Sequence, residues 1–143
     1  MKKVSLSVND YLASLPEEFA NEMRLLHSNI AAHMKNIEPV IWQGVFWGGS
    51  DQTIIGYGDL IYQRPGKEKV EWFVVGLARQ KNYYSVYINA SEDGQYILKK
   101  YADKLGKVKV GSGSLSFTKL EDVNMEELMK LVDVARNQST EAQ

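Results

Sequence analysis

Between Glu71 and Arg79 the chain reads Trp-Phe-Val-Val-Gly-Leu-Ala, an uncharged run rich in β-branched and aromatic residues. Such side chains suit a pleated surface better than a helix. A strand that is apolar on both faces belongs inside a sheet with both faces covered. An inner strand over residues 70–78 is therefore the first expectation, and the rest of the fold is arranged around it.

The flanking segments read as its neighbours. Val40 to Trp47 and Thr53 to Tyr62 are strand-like and separated by Gly48-Gly49-Ser50-Asp51; Arg64-Pro65-Gly66-Lys67 carries the Pro-Gly signature of a type II turn. Gln80-Lys81-Asn82 leads into Tyr83 to Asn89, where Tyr84, Val86 and Ile88 alternate with Tyr83, Ser85 and Tyr87. Breaks this short favour antiparallel pairing.

Helices bracket this meander. Ser7 and Asp10 predict a short capped turn, and Ser14-Leu15-Pro16-Glu17 has capping-box spacing ahead of Phe19, Met23, Leu26, Ile30 and Met34, an apolar stripe that Pro39 ends. Ser91, with Glu92 and Asp93 behind it, predicts the cap of a helix carrying Ile97, Leu98, Tyr101 and Leu105. Asn124 and Glu127 predict the start of a last helix, with Leu128, Leu131, Val132 and Ala135 on its buried side. This order implies an α+β, two-layer sandwich with an antiparallel sheet of about five strands and helices on one face. One domain over residues 1–143 is expected, with a frayed tail from Asn137.

Several functions are excluded or unsupported. The absence of cysteine removes disulfides, thiolate catalysis and Cys-ligated metals and suits a reducing, cytoplasmic setting. No stretch of 18 apolar residues is present, so no membrane partner is expected. His27 and His33 lie six apart, on different helix faces, and no nucleophile, zinc or nucleotide motif occurs. No catalytic residue is assigned, and a non-enzyme is expected. The net charge is −1, but six lysines stand between Lys99 and Lys119 against Asp103 alone. That half suits a small anion; with no arginine and acids following at once, it does not predict a nucleic-acid surface.

Residues 104–120 concentrate the candidate chemistry. Gly106 stands where a helix should stop, Lys107 and Lys109 flank Val108, and Gly111-Ser112-Gly113 precedes a strand in which Ser114, Ser116 and Thr118 alternate with Leu115 and Phe117. The segment reads either as an anion-binding loop or as a flexible turn into an edge strand. The aromatics Trp42, Trp47, Tyr57, Trp72, Tyr83 and Tyr87 read either as core or as the walls of a small-molecule pocket with a cationic rim.

The order of residues resembles a known family. Ile-Trp-Gln-Gly-Val-Phe-Trp-Gly-Gly (41–49), Ile-Ile-Gly-Tyr-Gly (54–58), Trp-Phe-Val-Val-Gly-Leu-Ala (72–78), Lys-Asn-Tyr-Tyr-Ser-Val-Tyr (81–87), Lys-Tyr-Ala-Asp-Lys-Leu-Gly-Lys-Val-Lys-Val-Gly (100–111) and Lys-Leu-Glu-Asp-Val-Asn (119–124) are similar to the YdhG-like bacterial domains of unknown function. The resemblance implies a frataxin-like fold and, through it, a role in iron handling or delivery. Here the carboxylates available for iron are Glu17, Glu18 and Glu22.

The residues and the resemblance give three expectations. The first is a binding module for a small anionic ligand held by Trp42, Trp47, Tyr57, Lys81, Lys107, Lys109 and Ser112. The second is a frataxin-like iron-handling protein, with iron as the implied metal and no metal-ligating residue assigned. The third is an enzyme acting on such an anion through Lys81 or Tyr57.

Overall fold

The computed structural model describes residues 2–45, 51–63, 66 and 69–141. In order they form β1 (Lys2–Val4), α1 (Val8–Ala13), α2 (Glu17–His33), β2 (Val40–Val45), β3 (Asp51–Tyr57), β4 (Leu60–Gln63), β5 (Lys69–Trp72) and β6 (Val75–Arg79). Then come β7 (Tyr84–Ile88), β8 (Ser91–Glu92), β9 (Gln95–Tyr96), α3 (Ile97–Lys100), β10 (Lys109–Val110), β11 (Ser114–Phe117) and α4 (Met125–Glu141). The main sheet has seven strands in the order β1-β2-β3-β6-β7-β11-β10, and every neighbouring pair is antiparallel. The α+β architecture holds, but the sheet exceeds the expected five strands because both edges, β1 and β10, are too short to show a period.

One face of the sheet carries the helices. Register sets Ile41, Ile55, Leu77, Val86 and Leu115 in a row across five strands, and they share one core with Met23, Leu26, Ile30 and Met34 of the α2 stripe and Leu128, Val132 and Ala135 of α4. Each such side chain contributes about 1.5–3 kcal/mol on leaving water. That burial fixes the helices where propensity alone would not. The α4 cap is as expected, with the Glu127 N–H donating to Asn124 Oδ1 (3.2 Å). So is that of α1, where the Asp10 N–H donates to Ser7 Oγ (3.0 Å).

The run that organises the sheet is not one strand. Tyr57 pairs with Val75 and Leu60 with Trp72, so register is unchanged through the break, yet ladder pairing stops at Gly58-Asp59 and Phe73-Val74. Here the alternation slips: Trp72 and Phe73 join one cluster while Val74 and Val75 both join the helix-side core. Gly58 permits the bend, with φ +82° and Val74 Cγ2 3.0 Å from where a Cβ would stand. The predicted 53–62 strand breaks at the same point, into β3 and β4. The inner position is confirmed for β6, which lies between β3 and β7.

The slip gives the second face its own small core. Trp42, Ile54, Phe73, Ala78 and Tyr87 are buried together, with Trp72 packed against them. Phe73 stacks on Trp72 (4.5 Å between centroids) and meets Trp42 and Tyr87 edge-on (5.9 Å each). It lies where Gly76 leaves room: a Cβ there would stand 2.5 Å from the ring.

Other expectations change. Ser91 does not cap a helix, because Asp93 (φ +53°) and Gly94 (φ +78°) form a tight turn joining β8 to β9. Two successive positive φ values are what an Asp-Gly hairpin turn requires, and the helix begins only at Ile97. Ser14 closes α1 by donating to the Tyr11 carbonyl (2.6 Å), and α2 starts at Pro16 with no side-chain cap. The tail from Asn137 is helical through Glu141. Residues 46–47 of the predicted 40–47 strand, residues 48–50 of the turn after it, and most of the 64–67 turn fall outside the described residues.

Candidate functional site

Of the predicted ligand residues that are described, only Lys107 and Lys109 line a common cavity. Trp42 is buried on β2, separated from the lysine-bearing β10 by β3, β6, β7 and β11. Tyr57 is fully buried on the helix side, its hydroxyl 2.7 Å from His27 Nδ1. Lys81 is exposed in the β6–β7 turn, and its carbonyl accepts from Arg79 Nη2 (3.4 Å). Ser112 is exposed at the tip of the β10–β11 hairpin, at the end remote from Lys107. Trp47 lies outside the described residues. The expected aromatic-walled pocket is thus corrected: Trp42, Phe73 and Tyr87 fill one another's space, and the cations stand at the opposite edge of the sheet.

The glycine loop is likewise an ordinary hairpin turn. The Gly111 N–H donates to the Ser114 carbonyl (2.8 Å), and neither Gly111 nor Gly113 adopts a positive φ. Gly106 is the constrained one, at φ +97° beneath the Asp122 carbonyl. It is held by two bonds of 2.8 Å, Lys107 N–H to the Asp122 carbonyl and Asn124 N–H to the Leu105 carbonyl. These straps set the direction in which β10 departs.

What this departure builds is an open groove. A cavity of about 670 Å³ is lined by Lys107, Lys109, Ser116, Thr118, Asn82 and Tyr83, among others, within the usual span for small-molecule sites, roughly 300–1,000 Å³. Register explains the convergence. Lys109 pairs with Ser116, which pairs with Ser85, and just beyond the ends of these ladders Lys107, Thr118 and Tyr83 line the same cavity. Lys107 and Lys109 line the same cavity, as the sequence suggested, although Lys107 precedes β10 in a turn where the Val108 N–H donates to the Gly106 carbonyl (3.0 Å). Of the other contributors, Asn82, Ser116 and Thr118 were not named as ligands. Their strand alternation was visible, but the β7–β11–β10 pairing that gathers them was not.

The groove is electropositive. Its lining includes two ammonium groups and no acid, and neither lysine takes part in an ion pair among the described residues. Lys3, Lys100 and Lys130 are each neutralised by a carboxylate. At the rim, Thr118 Oγ1 donates to Asp122 Oδ2 (3.3 Å), so toward a further partner that oxygen acts as an acceptor.

No family of known proteins, no curated protein and no solved structure matches this chain. Function therefore rests on the geometry. Among the described residues no three histidine, aspartate or glutamate side chains gather closely enough to hold a metal ion. Glu17 and Glu18 are exposed, and Glu22 accepts the Leu120 N–H (3.1 Å). Among the described residues no helix is long and apolar enough to cross a membrane.

The His27–Tyr57 contact belongs to the scaffold and has a pH consequence. Burial lowers the pKa of His27 from its ordinary 6.5 and raises that of Tyr57, so the pair is a neutral imidazole hydrogen-bonded to a neutral phenol. Below 6.5 the unfolded chain takes up a proton that folded His27 resists, and stability falls with pH until the lower folded value is passed. Urea midpoints at pH 7.5 and 5.5 should differ more in the wild type than in His27→Gln.

Proposed function

We propose that the chain is a non-enzymatic binding module whose ligand is a small anion seated in the Lys107/Lys109 groove. The observation that carries this reading is the meeting, in one cavity, of two lysines that form no ion pair among the described residues, the Ser116 and Thr118 hydroxyls and an exposed tyrosine. Lysines act as flexible point charges toward phosphate or carboxylate, and nothing in the lining repels an anion. Support for the other two readings is thinner: among the described residues iron lacks a donor cluster, Tyr57 meets His27 but is fully buried away from the lysine groove, and Lys81 does not line that groove.

Kinship with the YdhG-like domains, and through them a frataxin-like fold, is part of the proposal. Two long helices against one face of an antiparallel sheet support it, and the cysteine-free composition supports a cytoplasmic setting.

Thermal-shift titration with inorganic phosphate and with simple carboxylates tests the reading. A ligand at a hundredfold excess over its Kd should raise the wild-type Tm by roughly 5–10 °C. Lys107→Ala with Lys109→Ala should abolish most of that rise while leaving the unliganded Tm nearly unchanged, because exposed charges contribute little to stability. Equal responses in the two proteins, or none in either, would refute it.

A further inference from the structure

We infer that the anion is a nucleoside monophosphate, with its phosphate on the lysines of β10 and its base on Tyr83. This deepens the anion-site reading and rests on it.

The groove is graded in one direction across three strands. Lys107 and Lys109 stand on or beside β10, Ser116 and Thr118 follow on or beside β11, and Asn82 and Tyr83 enter β7. Strands lie about 4.8 Å apart, so the step from the lysine row to the tyrosine is roughly 10 Å. Cation, hydroxyl and aromatic therefore come in a fixed order at a fixed spacing. A ligand that satisfies all three needs an anionic head, a polar middle bearing hydroxyls and a flat end.

Each part narrows the class. Two lysines in one cavity with no acid in the lining suit a group carrying close to two negative charges, as a phosphate monoester does near neutral pH. A lone carboxylate would leave one ammonium unmatched. In the middle, Thr118 already donates to Asp122, which lies outside the lining, so the Thr118 oxygen accepts, whereas Ser116 can donate. Hydroxyls on a sugar, which donate and accept, fit both. At the far end Tyr83 is 42% exposed, a large aromatic surface left in water, and the Asn82 side-chain amide beside it can pair with donors and acceptors on a base edge. Stacking on such a ring tolerates any base. Phosphate, pentose and base follow one another in this order and over about this length.

The test compares adenosine 5′-monophosphate, ribose 5-phosphate, adenosine and inorganic phosphate by calorimetry on the wild type, Lys107→Ala/Lys109→Ala and Tyr83→Ala. Tyr83 and both lysines are exposed, so these variants should keep the fold, and circular dichroism checks that they do. The nucleotide should bind tightest. The lysine variant should weaken every phosphate-bearing ligand with reduced salt dependence. Tyr83→Ala should weaken the nucleotide about tenfold and leave ribose 5-phosphate unchanged. If ribose 5-phosphate binds as tightly as the nucleotide and Tyr83→Ala changes neither, the nucleotide assignment is overturned while the anion site survives. If no phosphate-bearing ligand binds, or binding ignores the lysines, both fall.

Discussion

Gly106→Ala is expected to destabilise the protein by roughly 3–5 kcal/mol, the largest effect of any methyl added to the basic segment. At φ +97° an L-residue carries about 1–2 kcal/mol of strain. The new Cβ would also stand 2.3 Å from the Asp122 carbonyl oxygen and 3.2 Å from the Asn124 nitrogen. Neither neighbour can yield freely, because the Asp122 carbonyl holds the Lys107 N–H and the Asn124 N–H holds the Leu105 carbonyl. Relief means lengthening bonds that contribute about 0.5–1.5 kcal/mol each. Gly113→Ala is the control: its φ is not positive and its nearest new contact is an ordinary 3.5 Å, so the change should stay within about 1 kcal/mol. Urea unfolding by linear extrapolation measures both. Similar losses at the two positions would contradict the strap geometry.

The second large effect concerns the sheet face away from the helices. Phe73→Ala should cost about 3–5 kcal/mol, as expected for a fully buried ring whose space the neighbours cannot refill. Gly76→Ala should also destabilise, since its Cβ would press on that ring at 2.5 Å, with Trp42, Trp72 and Tyr87 holding the ring in place. In the double variant the added methyl occupies part of the vacated space. Its loss should therefore fall short of the sum of the single losses by about 1 kcal/mol or more. Additive losses would mean that Phe73 does not rest on Gly76.

These two sites mark what the sequence could and could not convey. The stripe of Met23, Leu26, Ile30 and Met34 and the cap at Asn124 were legible because helical period and capping chemistry are local. The slip at Phe73-Val74 was not, because in an unbroken apolar run every residue looks equally buried and nothing marks the change of face. At Ser91 two local signals compete, a helix cap and an Asp-Gly turn two residues later, and the turn wins because the chain must reverse before Ile97 can reach the core. Half of the groove was legible. The nearness of Lys107 and Lys109 was visible in the sequence, but their companions depend on β11 pairing with both β7 and β10. Of the aromatics that drew attention, Tyr83 lines the groove, whereas Trp42 stands on the far side of a strand order that no local pattern encodes.

The most direct measurement is a phosphate titration of uniformly ¹⁵N-labelled protein, followed by its backbone amide shifts. With phosphate seated on the two lysines, saturable changes should be confined to residues 82–83, 106–109 and 116–118 and be abolished by Lys107→Ala with Lys109→Ala. Changes centred on Trp42 and Trp72, or changes that survive the double substitution, would contradict that seating.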